Sequence, residues 1–221
     1  MNMTTKGLSL LRLVLIGIVL KAISFYKISF ILGSQTAFFN GSSVAIPLVG
    51  FFAGSIGSVF LFLIRMTNWG LFTSGSWHLL SFVIPGFCAS LYWTTQKSSI
   101  RFWLPFLCMA AFVAHPVGRD AFVYTFYWFI PLVLYVSKRQ NVWTNALGST
   151  FVAHAVGSVI WLYTTTTTAS LWLSLLPVVA VERLLCAAGM VSICYASTMA
   201  HHVYQAAGRR IGTLIQRYRQ A

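Results

Sequence analysis

Residues Leu171–Met199 read LWLSLLPVVAVERLLCAAGMVSICYASTM, a long apolar run interrupted by one acid and one base. About twenty consecutive apolar residues are enough for a helix to cross the hydrocarbon core of a bilayer. Runs of the same kind recur at Leu8–Leu32, Ser43–Ile64, Trp77–Trp93 and Ser149–Tyr163, with two shorter ones at Phe102–Pro116 and Ala121–Val136. The runs are continuous rather than alternating, which excludes a transmembrane β-barrel and leaves helices to satisfy their own backbone groups.

Composition agrees. Of 221 residues 58% are hydrophobic, mean hydropathy is +0.79, and only 8% are charged, against about 25% in soluble domains. The expected fold is all-α: a polytopic transmembrane helix bundle forming a single integral domain over 1–221, ending in a short basic cytoplasmic tail over about 203–221. The net charge of +13 comes from cations scattered singly or in pairs at the ends of apolar runs. That distribution suits topology and anionic lipid better than nucleic acid. Cys88, Cys108, Cys186 and Cys194 lie inside apolar runs without Cys-x-x-Cys spacing, so they read as packing residues, and neither a metal nor a cofactor is expected.

The two short runs are separated by Val117-Gly118-Arg119-Asp120 and form either a tight hairpin or one broken crossing. With a hairpin, three cations fall on one side and eight on the other; with one broken crossing the division is nine to two. Six crossings are therefore preferred to seven, with both termini cytoplasmic. A third arrangement lays the first run along the interface and isolates only Arg65.

Asp120 and Glu182 are the sole acids, and each adjoins an arginine. Ionisable groups at membrane depth cost about 2.5–3.5 kcal/mol on insertion scales and face a cavity or a partner. His115-Pro116-Val117-Gly118-Arg119-Asp120 breaks an apolar stretch, and Tyr124, Tyr127, Trp128 and Pro131 follow as an aromatic face. This is either a ligand-holding helix break or a turn at the water interface with an aromatic belt behind it. His154, Ser158 and Trp161 share one helix face. Glu182 and Arg183 point about 100° apart on a helix, so Glu182 is free to choose Arg119, His154 or a ligand cation instead. The substrate-binding set expected from these residues is His115, Arg119, Asp120, Tyr127, Trp128, His154, Ser158, Trp161 and Glu182.

Small residues repeat at four-residue spacing in Gly50, Gly54 and Ser58 and again in Ala188, Ser192 and Ala196, which marks close helix packing or a partner seam. The threonine run Thr164–Thr168 reads as a linker. Zinc-protease, nucleophile-elbow and phosphate-loop motifs are all missing, and Gly75-Ser76-Trp77-His78 lacks the second glycine of a rhomboid-type nucleophile, so no enzyme activity is expected.

The stretch FFNGSSVAIPLVGFFAGSIG, from Phe38 to Gly57, resembles the first loop and second helix of substrate-binding S components of energy-coupling factor transporters. Pro85-Gly86-Phe87-Cys88-Ala89-Ser90-Leu91-Tyr92 is similar to their third helix, and Leu176-Pro177 through Gly189 to their last. The resemblance covers about half the chain. It implies a binding subunit of the inner or plasma membrane that takes up a small vitamin-like micronutrient, with a transmembrane coupling protein and ATPases as partners. By region it adds Asn40, the His154 face and the Glu182 turn as ligand contacts. Two other classes stay open: an intramembrane enzyme using His115 or His154 as base, and a membrane scaffold or assembly protein.

Overall fold

The computed structural model describes residues 27–30, 38–68 and 77–220. In chain order it contains strands β1 (Lys27–Phe30) and β2 (Phe38–Asn40), then helices α1 (Ser42–Asn68) and α2 (Trp77–Thr94). A π-helical turn (Ser99–Trp103) leads into α3 (Leu104–Ala114), and α4 (Pro116–Asp120) makes the corner beyond it. A 3₁₀ segment (Phe122–Trp128) runs into α5 (Phe129–Val136), and α6 (Val142–Thr164) and α7 (Ala169–Gln220) complete the chain.

The fold is helical, and among the described residues three helices are long and apolar enough to cross a membrane: Ser43–Met66, Val142–Thr164 and Ala169–Ala207. The middle one is the centre of the bundle, with 61% of its span buried against 39% for each of the others. Around it α2, the two arms of the α3–α5 region and α7 pack directly, while α1 lies mainly against α2.

Two expectations change here. The first apolar run was expected to be helical to Leu32, but Lys27–Phe30 pairs antiparallel with Phe38–Asn40, with Lys27 opposite Asn40. Lys-Ile-Ser-Phe alternates polar and apolar, the period of a strand. Asn40 accordingly lies in a strand and not in a loop. Residues 1–26 lie outside the described residues.

The second change concerns the two short runs, which form a hairpin rather than one broken crossing. Arg101 at the start of the first arm donates from Nη1 to Gln140 Oε1 just past the end of the second, at 2.8 Å. His115 ends α3 in an extended conformation (φ −76°, ψ 137°), and Pro116 then opens α4 at a position where its missing N–H costs nothing. At the turn Gly118 lies directly against the Phe112 carbonyl, where a Cβ has no room.

Helix ends follow from local chemistry. Asn141 caps α6: its Oδ1 accepts from Thr144 N at 2.8 Å, and Thr144 Oγ1 accepts from Asn141 N at 3.0 Å. At the other end Thr164 and Thr165 donate back to the carbonyls of Ile160 and Trp161, while Thr168 Oγ1 accepts from Leu171 N in the first turn of α7. The threonine run is thus a linker whose hydroxyls finish one helix and start the next. The basic 203–220 segment continues α7 as helix.

The two small-residue series behave differently. Gly50 sits against the backbone carbonyl of Ser90, which lets α1 and α2 touch. Gly54 bends α1 with φ 65° and ψ −166°, a region that is essentially glycine's alone, and nothing stands where its Cβ would be. Ser58 is buried and donates to the Gly54 carbonyl at 2.9 Å. On α7, Ser192 and Ala196 face outward and Ser192 donates back to Ala188 O, so that series meets no helix of the described bundle closely beyond Ala188.

Candidate functional site

Thr150, His154 and Ser158 recur at one-turn spacing along α6 and are all buried. The face they form points at the 3₁₀ segment and at α7. His154 is 8% exposed, and both of its ring nitrogens are engaged. Trp128 Nε1 lies 3.1 Å from Nδ1, and Tyr124 Oη lies 3.0 Å from Nε2. An indole N–H only donates, so Nδ1 is the acceptor and the neutral ring carries its proton on Nε2, which donates to the tyrosine oxygen. Ser158 Oγ stands 3.5 Å from the same Nδ1, at the outer limit of a hydrogen bond.

Aromatic packing encloses this network. Phe112 stacks on Tyr124 (5.7 Å, 17°) and meets Trp128 and Trp172 edge-on at 5.3 and 5.1 Å. Tyr124 meets Trp172 at 4.9 Å, and Trp161 meets Trp172 at 5.2 Å. These rings come from α3, the 3₁₀ segment, α6 and α7, so one cluster ties both hairpin arms to α6 and α7. Tyr127 extends it: its ring stacks on Phe151, and its hydroxyl donates to Leu176 O at 2.8 Å.

Glu182 and Arg183 face α6 from α7. They are 7% and 3% exposed, and the Glu182 Oε2 to Arg183 Nη2 distance is 3.7 Å. Glu182 therefore pairs with its own neighbour, because the long arginine side chain swings back across the 100° between adjacent residues. Arg183 Nη1 also reaches Thr150 Oγ1 at 3.4 Å. Thr150, one turn from His154 on the same face, is the α6 residue that the ion pair reaches.

Of the expected binding residues, Tyr127, Trp128, His154, Ser158, Trp161 and Glu182 gather in this region between the hairpin, α6 and α7. Arg119 and Asp120 do not: both are exposed at the hairpin tip. His115 is at the same end, its ring against Tyr163 at 5.1 Å. Asn40 is in β2. Among the described residues no three His, Cys, Asp or Glu side chains converge as metal ligands.

Sequence reading passed over Tyr124, Thr150 and Arg183 as members of one constellation. Thr150 lies one turn before His154, and that spacing was the available signal. It also passed over Arg101, which is 2% exposed. Its guanidinium donates to the carbonyls of Thr95 (2.7 Å) and Tyr92 (2.7 Å) and to the amide oxygens of Gln140 (2.8 Å) and Asn145 (2.9 Å). It also lies 4.2 Å above the Tyr92 ring. Arg101 is the buckle that joins α2, the hairpin and α6 at one end of the bundle, without a carboxylate.

No protein-family model, curated protein or solved structure matches this chain.

Proposed function

We propose that this protein is a membrane-embedded binding subunit for the uptake of a small, polar, vitamin-like solute, held in the seam between α6 and α7. The observation that carries this reading is the buried polar line Thr150, His154 and Ser158 facing the buried pair Glu182–Arg183, in helices apolar enough to span a bilayer. Ionisable groups are expensive at that depth, and natural chains keep them there chiefly for ligands, ions or protons. Tyr127, Trp128 and Trp161 supply the flat apolar walls that small-molecule sites use beside a few placed polar groups. A coupling protein and ATPases, as for the S components that the Phe38–Gly57 stretch resembles, supply the energy in this reading.

The topology that goes with it has six crossings: α1, α2, the two hairpin arms, α6 and α7. The first arm spans 99–114, about 24 Å when helical. The second gains length from its 3₁₀ stretch, which rises about 2.0 Å per residue. Lys97, Arg101, Lys138, Arg139 and the basic end of α7 then share the cytoplasmic side, leaving Arg65 and the Arg119–Asp120 tip outside. The membrane is the inner or plasma membrane.

Native mass spectrometry of the purified chain tests the site. Wild type is expected to carry one small molecule that is lost in both Glu182→Gln and His154→Ala. A wild type carrying lipid alone under all release energies, with the variants identical to it, overturns the reading.

A further inference from the structure

The second hairpin arm begins as seven residues of 3₁₀ helix, Phe122–Trp128, and only then becomes α-helix. Runs of 3₁₀ longer than three or four residues are uncommon because their hydrogen bonds are poorly aligned, and one inside a longer helix often marks a hinge. Something outside the segment holds it in that form.

The side chains show what holds it. A 3₁₀ helix turns about 120° per residue and an α-helix about 100°. Tyr124 and Trp128 are thus about 120° apart in the observed form and would be about 40° apart in an α-helix. That wide spread is what lets one side chain meet Nε2 of His154 while the other meets Nδ1. Tyr127 lies in line with Tyr124 in the 3₁₀ form and reaches the Leu176 carbonyl on α7. Conversion to α-helix turns it about 60° away. The three contacts therefore belong to the 3₁₀ form together, and α-helix formation breaks them as a set.

We propose that Phe122–Trp128 is a latch, and that its change from 3₁₀ to α-helix opens the hairpin away from the α6–α7 seam. The proposal deepens the solute-binding reading and rests on it for its purpose. In the latched form the aromatic cluster fills the space beside His154, and both histidine nitrogens are occupied. A solute gains His154 only when Trp128 or Tyr124 lets go. The charged and titratable groups around the latch are Glu182 and Arg183 on α7, Tyr124 and Tyr127 within it, and His154 on α6. The trigger is competition for the hydrogen bonds of His154, with no change of its protonation required.

Opening shortens the arm by about 0.5 Å per residue, about 3.5 Å over the segment. Nitroxide labels at the exposed positions Asp120→Cys and Ser137→Cys bracket it. Distances are measured by pulsed electron resonance on the full chain in lipid nanodiscs, without added solute. Wild type is expected to show one distance. Trp128→Phe, which removes the indole N–H together with the five-membered ring of a fully buried side chain, and Tyr127→Phe, which removes only the hydroxyl, are each expected to add a population shorter by 3–4 Å. An unchanged single distance in both variants overturns the latch; if Trp128→Phe unfolds and broadens the distribution, Tyr127→Phe decides alone. A failed latch leaves solute capture standing, and failed solute capture leaves these distances unaffected.

Discussion

Arg101 shows how a buried cation is stabilised without an anion. Four of its five N–H groups find oxygens, two of them main-chain carbonyls, and the Tyr92 face covers the guanidinium plane. Arg101→Ala leaves those oxygens facing each other in a closed space, and thermal unfolding in detergent is expected to show a loss of about 3 kcal/mol. Arg101→Lys is expected to recover less than half of this, since an ammonium cannot span carbonyls set at the angles of a planar fork. This residue was illegible in the sequence, where it is one of many cations at the end of an apolar run. Its partners lie at separations from six to forty-four positions, and no local spacing announces them. His154 was legible as a buried polar residue because its i+4 neighbour is a serine. Its true partners, Tyr124 and Trp128, come from another element and follow a 120° turn that a helical-wheel reading does not anticipate.

Elements divide the small residues by task. Gly50 permits contact between α1 and α2 at the Ser90 carbonyl, so Gly50→Ala forces the helices apart and is expected to cost about 1–3 kcal/mol. Ser192 faces outward on α7, and Ser192→Leu is expected to change stability by no more than about 0.5 kcal/mol. Parallel melting curves of the two variants check both statements. The sequence shows the same four-residue pattern in both places. Which pattern is internal depends on the neighbour that arrives, which is a tertiary fact. The limits of α1 and α2 were legible within a few residues. By contrast, α6 starts seven residues before the apolar run, at Val142, and α7 runs on to Gln220, because polar and basic residues continue a helix that apolar length alone does not delimit. The 3₁₀ segment was not legible, since its form depends on contacts with α6 and α7.

At the scale of the whole molecule, the hairpin fixes which ends belong together. The Tyr163 hydroxyl donates to Ala111 O at 2.8 Å near the tip, and Arg101 reaches Gln140 at the opposite end. In sealed vesicles a membrane-impermeant maleimide is expected to label Asp120→Cys from one face only and Arg139→Cys from the other only. Native Cys108, Cys186 and Cys194 are buried and are expected to stay silent. Labelling of both introduced cysteines from the same face would refute a hairpin that crosses. Charge counting alone preferred one broken crossing, because it weighs cations on each side without knowing that two of the loops touch.

The apolar part of α7 covers 39 residues, Ala169–Ala207, about 58 Å of rod, whereas a bilayer core is about 30 Å thick. Immersing all of it demands a tilt near 60°, well past the 0–40° that membrane helices adopt. With α7 spanning at such tilts the core takes up about 30–39 Å, so about 19–28 Å of the rod stands outside it, bearing Met199, Val203 and Tyr204, which are 65–78% exposed. A detergent belt matched to the bundle leaves this mast bare. Shorter-chain detergents, whose belts are thinner, should yield particles that stick end to end, and chromatographic homogeneity should improve as the belt thickens.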